Sequence, residues 1–277
     1  MSSLTVFADM NPVPRVLVDV PVVEFPVGAV TVSFTRTAEG RTFKVRGGQF
    51  LPATSPAVVM DPEAPFGVES SYTVLGHDAA GNVIGSLPVG VVTVDFDGVV
   101  VQQPLDARLS VRVRRIVTTA SEIGRETPGR LQYPQGASLP GLTGLGPRRA
   151  IDGMALDLFV DSHTDADALQ ETLGTYERPQ LPVWLLRTPP GMRIPRVFFC
   201  HVPRLVELSI NGHIGGELVH FAAIVSEVKP PVEGISGAVL THSDMKVFFA
   251  THTQVKAAYV SHSDVKRDTS LIGAADA

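Results

Sequence analysis

Three histidines recur at ten-residue intervals in THSDMKVFFA, THTQVKAAYV and SHSDVKRDTS, from Thr241 to Ser270. Imidazole is the commonest protein ligand for metals, so His242, His252 and His262 first point to a metal or pH-sensing site. Such a site needs two or more rings converging within about 2.1 Å of one ion. The flanking residues supply a simpler reading. Thr241, Thr251 and Ser261 stand three before Asp244, Gln254 and Asp264, close to the reciprocal capping box that starts a helix. Met245, Val255 and Val265 supply one buried contact per unit, Phe248 and Tyr259 a second, and the lysines fall towards the negative helix end. One continuous helix is disfavoured. Ten residues at about 100° each leave a rotation of about −80° per unit, so the histidines would spiral away from a common face. Three short helices, each restarted by its own cap and each marginal alone, fit better. The histidines therefore read as surface or structural, with no metal assigned.

The remaining reactive groups are as poorly placed for chemistry. Cys200 and His201 are adjacent, and neighbours on a strand point to opposite faces, so Cys200 reads as a buried structural thiol. DSHTDAD (Asp161 to Asp167) lacks the glycine turn and distal glutamate of a calcium loop, and its acids suit a helix start. No G-x-S-x-G elbow occurs, and RTPPG and GLTGLG are turn material without a phosphate-loop lysine. The expectation is a non-enzyme with no catalytic, cofactor-binding or metal residue.

The totals narrow the class. Hydrophobic residues make up 44% of the 277 and charged residues 18%, the balance of a folded chain. A formal net charge of −5 without a basic run argues against nucleic acid or an anionic membrane as main partner. A lone cysteine excludes an intrachain disulfide and suits assembly in a reducing cytosol. MSSLTVFADMNPVPR has neither the charged start nor the long apolar core of a signal peptide, and no apolar run is long enough to insert in a membrane.

The elements that must position these residues are mostly strands. AVTVSFTRT sets Val30, Val32 and Phe34 against Thr31, Ser33 and Thr35, and AEG then turns into RTFKVRGG as a hairpin. A proline-stopped strand in AVVMDPEAPFG and a strand pair in ESSYTVLGHDAAGNVIG follow. Six or seven short strands without a helical period predict a small β-sandwich over residues 1–101. Residues 102–232 are a second β-rich module. LSVRVRRIV and MALDLFV alternate, GRLQYPQGASLPGLTGLGP between them is a long loop or irregular hairpin, and four more strands close the module. In SHTDADALQETLG, Ser162 can cap the Asp165 amide and Gly174 can end the one helix. KPPVEG (Lys229 to Gly234) is a stiff linker, and residues 233–277 hold it and the three cassettes. The fold class is mainly β.

Three stretches, in this order, resemble minor tail proteins of long-tailed bacteriophages that infect actinobacteria. AVTVSFTRTAEGRTFKVRGG with MDPEAPFGVESSYTVLGHDAAGNVIG is similar to that family's fibronectin type III-like module, including D-x-E-x-P-x-G-V-x-x-x-Y from Asp61 through Tyr72. DLFVDSHTDADALQETLG with LPVWLLRTPPG resembles its central module, and the repeats resemble its terminal cassettes, with histidine in place of an aromatic. The resemblance implies a virion structural protein of the tail tip or baseplate, of the distal-tail type, assembled in the host cytoplasm. By analogy it implies a tail-tube-like β-fold for the central module. It also implies a ring of self-associated copies, six favoured and three next, joining tail tube, tail hub and receptor-binding elements. Two rivals remain. A carbohydrate-binding module recognising the host cell wall needs aromatic platforms, of which this chain, with one tryptophan on an apolar strand, has few. A metal-dependent enzyme built on the histidine cassettes is the other.

Overall fold

Short apolar-polar alternations closed by glycine and proline turns fold as strands, and the protein is mainly β. The computed structural model describes residues 1–117, 122–136, 138–209, 218–232, 246, 249 and 251–259. The chain divides into two compact units, Met1–Pro231 and Val232–Ala277, and the border falls inside KPPVEG.

In the larger unit, β1 (Ser3–Phe7), β2 (Arg15–Val20) and β6 (Ala57–Asp61) form a three-stranded sheet in the order β1-β2-β6. A second sheet contains β3 (Thr31–Ala38), β4 (Arg41–Lys44), β5 (Leu51–Pro52), β7 (Glu69–His77) and β8 (Val83–Thr93). Its order is β4-β3-β7-β8, with β5 also on β3. Val16, Val18 and Val59 from the first sheet share one core with Val32, Phe34 and Val74 from the second. The hairpin β3–β4 closes on Glu39 and Gly40, both at positive φ (48° and 73°), the two-residue turn whose twist matches its strands. Two residues of β3's expected alternation differ. Val30 lies before the strand and is half exposed, whereas Ser33 is buried and bonded to the His77 ring (2.9 Å) and the Phe50 amide (3.0 Å).

The second assembly is a curled sheet. Its members are β9 (Val99–Gln103), β10 (Asp106–Val113), β11 (Arg115–Val117), β14 (Met154–Val160), β15 (Val183–Arg187), β16 (Val197–His201), β17 (Leu205–Ser209) and β18 (Val219–Glu227). The order is β10-β9-β15-β16-β18-β14-β11, with β17 on β18. The first and last strands of that path are separated in sequence by Arg114 alone, so the sheet bends into a half-barrel. Its interior takes alternate residues: Met154, Leu156, Leu158 and Val160 from β14, and Val219, Phe221, Ala223 and Val225 from β18. Between β11 and β14, β12 (Arg130–Gln132) and β13 (Gly141–Thr143) form a separate hairpin.

Helix α1 (His163–Glu171) starts as its sequence predicts, with the Ser162 hydroxyl accepting from the Asp165 amide (3.0 Å). Ala166 and Leu169 bury into the half-barrel core. The border drawn at 101/102 falls inside β9, which belongs wholly to the second assembly. β9, β15 and β16 are buried on both faces, so their apolar runs carry no period and mark no edge between modules.

In the smaller unit, the middle cassette forms α2 (His252–Ala258). Thr251 is its N-cap, and both halves of the capping box with Gln254 are made. Val255 is buried, and Tyr259 meets Phe249 edge to face at 5.9 Å. Phe248, expected as the second contact of the first cassette, lies outside the described residues, as do the cap residues Thr241 and Ser261 of the other two cassettes.

Candidate functional site

The densest set of charged side chains is inside the protein. By period two, Arg36 follows Val32 and Phe34 onto the core face of β3, where it stands opposite Tyr72 of β7. Asp61, the last residue of β6, receives both: one carboxylate oxygen accepts from an Arg36 guanidinium N–H and from the Tyr72 hydroxyl (2.8 Å). Its other oxygen accepts from the Glu63 amide (2.9 Å). Glu63 in turn accepts from Arg46 Nε (2.7 Å), and Arg46 Nη1 donates to the Pro231 carbonyl (2.9 Å).

Arg187 approaches the same cluster from the end of β15. Its side chain is fully buried and donates from Nη1 to the carbonyls of Pro14 (2.8 Å) and Ala64 (3.1 Å). The guanidinium carbon lies 4.5 Å from the centre of the Phe66 ring, and that of Arg36 lies 5.2 Å from the Phe43 ring. Nε and Nη2 of both arginines lack hydrogen-bond partners among the described residues. The rings provide electrostatic company instead, worth about 2 kcal/mol when such a pair is desolvated. One turn further, Pro190 fills the space beside Gly67: a Cβ there would lie 2.5 Å from the proline ring, and the glycine sits at φ +62°.

Burial governs the electrostatics. It pushes the Tyr72 hydroxyl far above the usual range, with the Asp61 charge adding to the effect. It also raises the Glu63 carboxyl, against the pull of Arg46. Burial opposes the Arg36 charge, but Asp61, Tyr72 and Glu63 outweigh it and hold that guanidinium above its ordinary value. Arg187 has no carboxylate in direct contact among the described residues, and burial pulls it down to about 9 despite Asp61 and Glu63 nearby.

These residues come from the two motifs quoted for the resemblance. Asp61, Glu63, Gly67 and Tyr72 belong to D-x-E-x-P-x-G-V-x-x-x-Y, and Arg187 and Pro190 belong to L-L-R-T-P-P-G. The two segments touch, and together they lock the sandwich to the outer face of the half-barrel. Beside the lock, Glu39, Arg41, Phe43, Pro65, Pro195 and Arg196 line a shallow cleft of about 30 Å³, far below the range of small-molecule sites. Arg196 faces Glu39 across it at 3.6 Å.

The groups considered from sequence are not brought together. Cys200 is sealed in the half-barrel core with its thiol pushed up by burial, and His201 is half-buried at the strand end. Within DSHTDAD, Ser162 and Asp165 are spent on the helix cap, and Asp161 pairs with Arg114 (2.9 Å). The His252 ring, like His242 and His262, lies outside the described residues; among those described, no metal-binding cluster of histidine, cysteine and carboxylates occurs. Trp184 is fully buried, its indole N–H donating to Thr172 Oγ1 (2.6 Å) at the end of α1. Sequence reasoning passed over Arg36 and Arg187, although each sits in phase with apolar residues of its strand, the one local signal of a buried charge. No protein-family model matches the chain, and no curated protein or solved structure shows significant similarity to it.

Proposed function

We propose that this chain is a structural virion protein of a bacteriophage tail tip or baseplate, of the distal-tail type, forming a ring between tail tube and adsorption apparatus. The observation that carries the reading is the lock itself. The two motifs that carry the resemblance to phage minor tail proteins use their charged residues to fix one β-module rigidly against another, not to line an accessible site. A rigid two-module block suits a protein whose work is to bear contacts with copies of itself and with tail tube, hub and receptor-binding elements.

The sheet orders support the finer expectations. Three strands facing four, with the two-residue β5 added on β3, are compatible with a fibronectin type III-like sandwich. The half-barrel with one helix is compatible with a tail-tube-like module. The capping box at Thr251 supports reading each cassette as a short helix and the terminal segment as a docking arm. For the carbohydrate-binding alternative, burial of Trp184 removes the most obvious stacking platform.

Mass photometry of the purified chain, with imaging of assembled tails, tests the proposal. A closed oligomer, six copies first and three next, is expected at the tail tip. Monomers alone in both preparations would reject it.

A further inference from the structure

Between Gly124 and Ala150 no described residue is buried, although the segment is rich in large apolar side chains. Among the described residues, β12 and β13 pair only with each other. Leu131 and Leu142 face each other across that ladder, and Tyr133, Leu139 and Leu145 continue the apolar surface, with exposures from 55% at Leu142 to 79% at Leu139. A two-stranded ribbon without a third layer is marginal in water. Grouped exposed apolar residues of this kind mark a surface that a partner covers.

A second apolar surface lies at one end of the sandwich. Val27 is 99% exposed, and Val30, Val83 and Ile84 are each about half exposed. They are neighbours: Gly28 backs onto the Ile84 side chain, the Val30 amide donates to the His77 carbonyl (2.8 Å), and Val83 pairs with His77. Charge separates the two surfaces. Residues 122–149 carry four arginines and two glutamates, whereas the sandwich end, residues 22–30 and 77–84, carries Glu24 and Asp78 and no lysine or arginine.

We propose that the 130–145 hairpin of one copy docks on the Val27–Ile84 end of the sandwich of the next copy. This rests on the self-assembly reading above and names the surfaces that carry it. Basic, apolar hairpin and acidic, apolar sandwich end are complementary in both respects. Because they are different surfaces, each added copy leaves one of each free, and addition continues until a ring closes. The arginines make the contact salt-sensitive, since exposed charges are screened over about 10 Å at 0.1 M salt.

Two double variants of the full chain test this, Leu139→Glu/Leu145→Glu on the hairpin and Val27→Glu/Ile84→Glu on the sandwich. Circular dichroism and thermal melting check that each folds. Native mass spectrometry and sedimentation then read assembly across concentration and salt. The wild-type chain is expected to form a closed oligomer, and each variant to self-associate at least tenfold more weakly. An equimolar mixture of the two is expected to give a heterodimer and nothing larger, because one competent hairpin and one competent sandwich end remain. Wild-type-like oligomers from the hairpin variant would overturn the hairpin contact while leaving self-assembly intact. So would two-fold dimers that survive the sandwich substitutions, or a mixture that stays monomeric. A wild-type chain that is monomeric throughout would remove the self-assembly reading and this contact together.

Discussion

The junction and the 130–145 hairpin reverse the ordinary placement of residue types in opposite directions. At the junction Arg36, Asp61, Glu63 and Arg187 are buried, and in the hairpin five large apolar residues face outward. Charges are tolerated inside because Asp61 is shared between donors, Glu63 pairs with Arg46, and Arg36 and Arg187 each lie against a ring. The leucines have no such compensation among the described residues. One region is complete in the monomer and the other is not, and that difference separates the residues that hold this protein together from those free to hold it to something else.

Substitutions should sharpen the contrast. The largest effect is expected from Asp61→Ala, which strands Arg36 and the Tyr72 hydroxyl without an acceptor. Loss of about 3–5 kcal/mol is expected, the usual penalty for breaking a buried pair from one side, and urea unfolding measures it. A loss below about 1 kcal/mol would mean that Asp61 is not the hub. Gly67→Ala comes next. Its methyl group would overlap Pro190 and sit at a left-handed φ, so about 1–3 kcal/mol should be lost, with near-neutral behaviour contradicting the close approach.

The third test uses pH. Burial raises the folded-state pKa of Glu63 above its ordinary 4.5, so the native state holds that proton where the unfolded state has released it. The resulting stabilisation is full below about 4.5 and is lost as pH rises through the raised folded value. Glu63→Gln should therefore flatten the decline of stability on going upward from pH 4.5, read from urea midpoints. An unchanged slope would mean that Glu63 carries no raised pKa. The smallest effect belongs to the hairpin. Leu139→Ser should change monomer stability by no more than about 0.5 kcal/mol, since its side chain is 79% exposed. A larger loss would show that the hairpin is part of the monomer's core.

Much of the local structure was legible because its causes are local. The alternations in MALDLFV and ELVHFAAIVSEV, the Glu39–Gly40 turn, and the caps at Ser162 and Thr251 each depend on residues a few positions apart. The junction was not legible for the converse reason. Arg187 reaches a carbonyl 173 residues earlier in the chain, and nothing near either residue announces the meeting. β9, β15 and β16 lost their period because a second layer buries their outer face, so sequence named β15 and β16 as strands, drew a border through β9, and did not mark them as the strands on which both modules rest. Arg36 lay between the two cases. Its phase on β3 was visible, and its partner at the end of β6 was not.

Arg114 carries a mechanical consequence. As the only residue between β10 and β11, it makes one run of chain serve as both margins of the curled sheet. Its amide is fastened to the Phe159 carbonyl (2.8 Å), at the bend itself. A force peeling β11 from β14 is passed through a single residue to β10, which pairs with β9. The two margins of the path are therefore tied covalently, and a load on one is shared by the other.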